Sequence, residues 1–572
     1  MNLPTPAIVT QEAVRRMPRL VLMLLCLAYL LPGFVGRGPW KGADLVSYGY
    51  MAEMAQGSSS WWAPSLMGMA PEVHALLPYW LGAWMMQIAP HGLAPDLAVR
   101  LPFIALLAVA LSATWYGTYY LARSSEAQPV PFAFGGEAQT TDYARAMADG
   151  GLLAFMACLG LAQLSHESTP ALAQLSFTAL FFYAIAALPY QAAMAPVCGL
   201  LGLLGLSLSG APFIALLLGL GCALIYLFSD ASEEGLDAAV TPRRGALGLA
   251  LLTLAMALLS TQLHLWHWLV DLPEASWSEW RSLARLLLWF TWPAWPLALW
   301  TIWRWRGQLL RGHMPGRHLA LPLWFAGVAI AATFTTASAD RSLLLGLPAL
   351  AALAAFALPT WGRSMAALVD WFTLLFFSSC AIVIWVVWIA LQTGVPKQPA
   401  DNVARLAPGF EHSFSALPFL AALGATLAWV WLVHWRVGRH RSAIWKSLVL
   451  PASGAALSWL LLMTLWLPLL DFARSYKPLV TQSLSVLPTS DCVEALGLKR
   501  GQIAALKFQG HIQLTPLSAP PRCEWLIVDN SGLDSIKRSV DLTAWALQAR
   551  IKHPADPKED IQVYKRQIAS GN

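Results

Sequence analysis

The chain is 572 residues long, 57% hydrophobic and only 12% charged, with 29 Trp and 22 Phe and a mean hydropathy of +0.55. A soluble protein carries about 25% charged residues. Half that share cannot cover a water-facing surface, so a soluble enzyme, a disulfide scaffold and a disordered chain are excluded in favour of a polytopic membrane protein. The net charge of +6 is not a nucleic-acid signal, because basic residues of membrane proteins collect in cytoplasmic loops.

A membrane-crossing helix needs about 20 apolar residues. Thirteen runs meet that expectation, near 20–36, 98–122, 148–164, 171–188, 193–209, 211–229, 245–263, 284–303, 319–337, 343–360, 367–391, 414–434 and 447–469. Arg15, Arg16 and Arg19 precede the first run, which lacks a small-residue cleavage site, so it reads as an anchor that is kept. Gly199, Gly202, Gly205, Gly210, Gly219 and Gly221 form no phosphate loop and read as small residues that let spans approach. Cys26, Cys158, Cys198, Cys222 and Cys380 lie in apolar runs as small buried hydrophobes.

With the N-terminus inside, the cytoplasmic loops hold about 16 Lys and Arg against about 8 in the opposite short loops. An odd number of spans then puts the region from Asp471 onward outside. That region holds 23 charged residues. Strand-like runs at Ala504–Phe508 and Trp525–Val528 and a helix-like pattern at 535–551 give a small α/β domain, 470–572, beside a membrane domain, 1–469. In an oxidising exterior Cys492 and Cys523 can pair; two unpaired thiols are the alternative.

Residues 37–97 make a loop of about 60 residues, a length that is usually functional. Helical spacing recurs at Asp44–Met54 and at Leu76–Met86, rich in aromatics and Met, as for helices lying in the interface plane. Between them stand Trp61-Trp62-Ala63-Pro64 and Pro71-Glu72-Val73-His74. An acidic residue just after the first span and a Glu/His pair further on can position a polar headgroup. Equally, Asp44 can simply cap its helix and the tryptophans belong to an interfacial belt.

The order Asp44…Tyr48…Trp61-Trp62-Ala63-Pro64…Glu72…His74…Tyr79-Trp80-Leu81-Gly82-Ala83, then Arg100-Leu101-Pro102, resembles the aminoarabinose transferase and protein mannosyltransferase group of C-type (GT-C) glycosyltransferases. The Trp/Pro-rich stretch Trp292–Trp300 and Ser338-Ala339-Asp340-Arg341 before Leu347-Pro348 extend the likeness. The resemblance implies an α-helical polytopic fold of about thirteen spans with a periplasmic α/β domain. It implies an inverting transfer from a polyprenyl (undecaprenyl) phosphate sugar to a lipid or cell-envelope glycan on the outer face of the inner membrane, by a monomer. Asp44 matches the catalytic acid of that pattern. His74 falls where the group has a phosphate-binding Lys, and Ser47 where it has Arg, so one cation is missing.

Inverting displacement needs a carboxylate on the acceptor side and groups that meet the developing phosphate charge. Asp44 and Glu167 are the candidate carboxylates; His74, Arg341 and Arg100 are candidates for the donor phosphate. Tyr48, Trp61, Trp62, Glu72, Tyr79, His166 and Asp340 are candidates for substrate contact. Alternatives stand beside two of these: Asp340 can pair with Arg341, and Glu167 with Ser168 can cap the following helix. His166 and Glu167 together can hold a divalent metal. His264, His267 and Asp271 have metal-like spacing, but Trp266 and Trp268 beside them favour an interfacial belt. No zinc-type Cys/His set, P-loop or dinucleotide motif is present. A transporter or flippase of a lipid-linked glycan is the other reading, although that class places charges near the bilayer midplane, where these spans have almost none.

Overall fold

The structure is a computed structural model and describes residues 5–90, 92–228, 241–267, 270–274, 276–310, 315–438, 443–487, 492–517, 522–529 and 544–567. It is mostly helical. Among the described residues five helices are long and apolar enough to cross a membrane: Pro95–Ala122, Pro170–Ala187, Pro242–Gln262, Ser364–Thr393 and Ala416–Arg436. A sixth span is possible if Lys446–Leu462 and Leu467–Arg474, bent by 69° at their break, count as one. Shorter apolar helices, including Arg19–Leu30, Met194–Leu208, Pro212–Phe228 and Arg317–Thr333, stand beside them.

Thirteen unbroken spans are therefore not what the helices present, and the sequence says where they stop. The run at 20–36 ends as a helix (α1, Arg19–Leu30) just before Pro32 and Gly33. The run at 284–303 is divided into Trp277–Phe290 and Ala294–Arg304 by Thr291-Trp292-Pro293. The run at 148–164 ends at Ala157, and only a single turn follows, Leu161–Leu164. Proline cannot donate into a helix, so it opens a new one more readily than it continues an old one. Pro95, Pro170, Pro212 and Pro242 accordingly sit at the first helical position of four helices.

Glycines set how closely the helices pack. A Cβ on Gly205 would lie 2.3 Å from the Phe177 ring, and one on Gly219 would lie 2.1 Å from Thr253 Oγ1. In an apolar solvent small side chains are what bring two backbones together. Leu417, Leu254 and Trp431 are exposed on helices with few polar residues, as expected of surfaces that meet lipid.

The first-loop helices are α2 (Ala43–Ala55) and α3 (Leu77–Ile88); α4 (Pro95–Ala122) returns into the helical body. At the chain's other end a five-stranded sheet forms from β1 (Cys492–Leu496), β2 (Gln513–Pro516), β3 (Trp525–Asp529), β4 (Trp545–His553) and β5 (Asp556–Arg566). Its order is β2-β1-β3-β5-β4, parallel between β1 and its two neighbours and antiparallel beyond β3. Every residue of the central β3 is buried, which explains its continuous apolar run. Cys492 and Cys523 are joined by a disulfide.

Two elements of this unit differ from expectation. Ala504–Phe508 is no strand: Arg500–Ala504 is helical and runs into a π-turn, Ala505–Gln509. Ala504, Ala505 and Leu506 are consecutively buried, and Ala504 packs where a Cβ on Gly49 would come within 2.8 Å. The expected helix at 535–551 is a strand from Trp545; residues 530–543 lie outside the described residues.

Candidate active site

The segment after α1 is the origin of the site. Pro32 and Gly33 turn the chain, and Gly33 adopts φ +94 with Trp459 so close that a Cβ would meet it at 2.5 Å. Arg37 emerges from this turn fully buried. Its guanidinium donates to the carbonyls of Gly33 (2.6 Å) and His166 (2.8 Å) and to Asp44 Oδ2 (2.7 Å), and it lies 4.3 Å from the centre of the Trp40 ring. A buried ion pair holds only when the remaining hydrogen-bonding capacity is also met, and here it is.

Asp44 stands in the first turn of α2, after Gly42 at φ +99. It is not the helix cap. Oδ2 accepts from the Trp40 N–H at 3.2 Å and Oδ1 from the Ser168 N–H at 2.8 Å. Burial alone would raise this carboxyl. The guanidiniums of Arg37 and Arg100, with the Ser168 N–H, outweigh burial and hold it below the usual carboxylate range.

Glu167, next to Ser168, is the opposite case. Burial first, and then repulsion from Asp44, push its carboxyl up to about 7, while Gln163 Nε2 donates to it at 3.2 Å. The helix that follows starts at Pro170 with Thr169 as its cap residue, and no side chain caps it. Capping therefore does not explain Glu167. Two neighbouring carboxyls driven in opposite directions are the arrangement that acid–base chemistry uses.

Next to this pair a cavity of about 620 Å³ opens between α2 and the C-terminal sheet; Ala43, Ser47 and Pro170 line it, while the Asp44 and Glu167 carboxyls lie buried behind that wall. Lys41, Ser47, Tyr50, Glu72, Tyr79 and Arg341 line it from the helical side, and Tyr476, Lys499, Arg500, Asp556 and Glu559 from the other. Lys41–Asp556 (2.6 Å), Arg500–Glu72 (2.6 Å) and, just beyond, Lys507–Glu53 (2.6 Å) join the two walls. Asp340 Oδ1 accepts from the Arg341 backbone N–H rather than from its side chain. Among the described residues the Arg341 guanidinium has no ion-pair or hydrogen-bond partner.

Several expected site residues are employed elsewhere. Arg100 is buried under the loop, donating to the carbonyls of Phe34 (3.1 Å) and Arg37 (2.5 Å), so it braces the turn rather than facing the cavity. His74 stacks on His267, ring centres 4.2 Å apart, and only its neighbour Val73 lines the cavity. His166 packs among Tyr29, Phe34 and Trp459, with both ring nitrogens against the carbonyls of Ala162 and Tyr29. It is thus unable to share a metal with Glu167. Among the described residues no three His, Cys, Asp or Glu side chains converge on a metal position. Trp61 and Trp62 cluster with Trp80 and Trp84 outside the cavity lining, and Tyr48 packs edge-on against Phe508.

Ser47 brings no cation to Asp44; the cation paired with it is Arg37, seven residues ahead. Lys41, Lys499 and Arg500 were not expected either. Lys41 and Arg37 were visible only as polar residues flanking the acidic one, and the Lys499-Arg500 pair as one basic doublet in a charged region.

No protein-family model matches the sequence, and no curated protein does. Among solved structures, ArnT from Cupriavidus metallidurans bound to undecaprenyl phosphate superposes with a TM-score of 0.58 at 12% identity, over 96% of this chain and 98% of that one. The chain has the ArnT fold. The apo form of the same ArnT gives a TM-score of 0.56 at 13% identity, over 95% and 96% of the two chains. The helical fold with a small C-terminal sheet implied by the resemblance of Asp44, Trp61-Trp62, Tyr79-Trp80 and Arg100-Leu101-Pro102 is thus the fold found, without its thirteen spans among the described residues.

Proposed function

We propose that the protein is a membrane glycosyltransferase that moves a sugar from a polyprenyl phosphate carrier, with inversion, to an acceptor at the membrane surface. The observation that carries this reading is Arg341, a cation that has no ion-pair partner among the described residues, in the cavity beside the Asp44–Arg37 pair. An apolar-sided protein has little reason to hold an unmatched charge next to its helices unless a ligand supplies the counter-charge. Support comes from the shared fold with an ArnT crystallised with undecaprenyl phosphate.

In this reading Arg341 meets the charge that grows on the lipid phosphate as it leaves. Asp44, kept ionised, fixes the local field and the geometry of the Ser168 turn, and Glu167 takes the acceptor's proton. The Lys and Arg bias of the loops supports a cytoplasmic N-terminus and an outer-facing cavity under the C-terminal sheet, which makes the inner-membrane surface the site of transfer.

The test is transfer from an undecaprenyl phosphate sugar by the full chain in lipid nanodiscs, compared with Asp44→Asn. The variant keeps the side-chain shape but leaves Arg37 without its counter-charge, so it is compared at equal amounts of folded protein, where it is expected to lose at least about a hundredfold in rate. Undiminished transfer by Asp44→Asn overturns the assignment.

A further inference from the structure

The walls of the cavity bear on the second substrate of the proposed reaction. They carry four cations, Lys41, Arg341, Lys499 and Arg500, and three carboxylates, Glu72, Asp556 and Glu559. Six of these seven are already matched: Lys41 with Asp556 (2.6 Å), Lys499 with Glu559 (3.0 Å) and Arg500 with Glu72 (2.6 Å). Among the lining residues the surplus is a single positive charge, and it belongs to Arg341 on the helical side; the buried Glu167 carboxyl, behind the lining, feels that charge but forms no ion pair with it. A sugar–phosphate–lipid diester carries one negative charge and takes that surplus entirely. An acceptor with a phosphate or carboxylate of its own would enter with no cation left for it, and would have to displace an existing pair.

The far wall is instead suited to an uncharged, hydroxyl-rich ligand. Its carboxylates accept and its ammonium and guanidinium groups donate, with Tyr476 the aromatic residue on this side of the lining. The Arg500–Glu72 pair is solvent-exposed on the Glu72 side, 80%, so it can share its hydrogen bonds with a neutral molecule without giving up its charge balance.

A second observation points the same way. A phosphate is already an anion at neutral pH and needs no base in order to attack, whereas a hydroxyl must lose its proton as the new bond forms. The site keeps a buried carboxyl, Glu167, directly beside the Asp44-binding Ser168; it accepts from Gln163 and does not cap the following helix.

We propose that the acceptor is an uncharged carbohydrate, seated against the C-terminal wall of the cavity and attacking through a hydroxyl group. This rests on the glycosyltransfer reading above and names its second substrate. In the step, the hydroxyl oxygen bonds to the anomeric carbon and its proton passes to the Glu167 carboxylate. The anomeric carbon–oxygen bond to the lipid phosphate breaks, its electron pair stays on the phosphate oxygen, and the polyprenyl phosphate departs with a second negative charge.

The bond formed distinguishes the acceptors. Envelope fractions from source cells carrying the wild-type chain are compared with those from cells carrying Asp44→Asn, at equal membrane levels of the two proteins. The sugar whose attachment depends on Asp44 is then located. The expected product is a glycoside of a neutral glycan that survives mild acid and leaves the phosphorus NMR spectrum unchanged. With the isolated glycan as acceptor, its KM should stay within about twofold between low salt and 0.3 M, because no net charge attracts it. A mild-acid-labile sugar accompanied by a new phosphodiester resonance overturns the inference, as does an acid-stable sugar on a protein or a charged lipid. Absence of any Asp44-dependent product overturns the glycosyltransfer reading itself, and the inference with it.

Discussion

Replacing Glu167 with Gln keeps the shape of a buried side chain and the hydrogen bond from Gln163 but removes its ionisation. In the fold this carboxyl is pushed up to about 7, against an ordinary value of 4.5. The folded protein therefore holds the proton more tightly than the unfolded chain does. Unfolding releases it between those two pH values, so wild-type stability falls as pH climbs through that window and is level on either side. At 1.36 kcal/mol per pH unit, ionising Glu167 costs the fold about 3 kcal/mol by pH 8. The Gln variant escapes that cost. It should match the wild type at pH 4 and exceed it by about 2–3 °C in apparent Tm at pH 8, given the unfolding entropy of a chain this long. Tryptophan-fluorescence melting in nanodiscs across pH 4–9 measures the difference. The same substitution should abolish the limb of the transfer rate that rises through about pH 7, because the base is gone. A Tm difference that stays flat over the whole range refutes the buried-acid account of Glu167.

Arg37→Ala leaves the Asp44 carboxylate buried without its partner and is expected to cost about 3–5 kcal/mol; melting should show the loss, and adding Asp44→Ala should restore much of it. Arg341→Gln should leave melting unchanged, because among the described residues the guanidinium has no hydrogen-bond or ion-pair partner to lose. It should weaken undecaprenyl phosphate binding about 10- to 100-fold, as expected for one charge-assisted hydrogen bond, read by native mass spectrometry. Cys523→Ser opens a disulfide spanning 31 residues. It should cost the C-terminal sheet about 2–4 kcal/mol, seen as faster limited proteolysis of that region with the helical body intact.

What could be read from the sequence followed from how local each cause is. The helices α2 and α3 and the buried β3 are set by residues adjacent in the chain, and all three form, although α2 is buried nearly all round instead of lying half-exposed in the interface plane. Helix continuity was legible only in part: Trp292-Pro293 and Pro32-Gly33 announce breaks, but an apolar run hides them when hydropathy alone is averaged. Ala504–Phe508 has no alternation to separate a strand from a buried helix, and the tight approach of Gly49 decides it. The site divides in the same way. Asp44 and Glu167 are brought together across 123 positions, and each was nominated by the resemblance and by the reaction's need for a carboxylate, against the alternative of helix capping. Arg37, Arg100 and His166 could not be sorted that way, because buried or cavity-facing depends on backbone carbonyls supplied by distant turns. Arg100 and His166 were nominated for ligands and serve the backbone instead, while Arg37 was passed over and holds the centre.

The ion pairs that fasten the C-terminal sheet to the first-loop helices carry a consequence for how the protein comes into being. Lys41 waits for Asp556, Glu72 for Arg500 and Glu53 for Lys507, so one wall of the cavity is translated some 430 to 515 residues after the other. While the chain is still being threaded into the bilayer, the Asp44 turn can form, but it faces an open surface. The protein therefore acquires its cavity last, and nascent or truncated chains should sit in the membrane inert rather than act on the lipid-linked sugars around them.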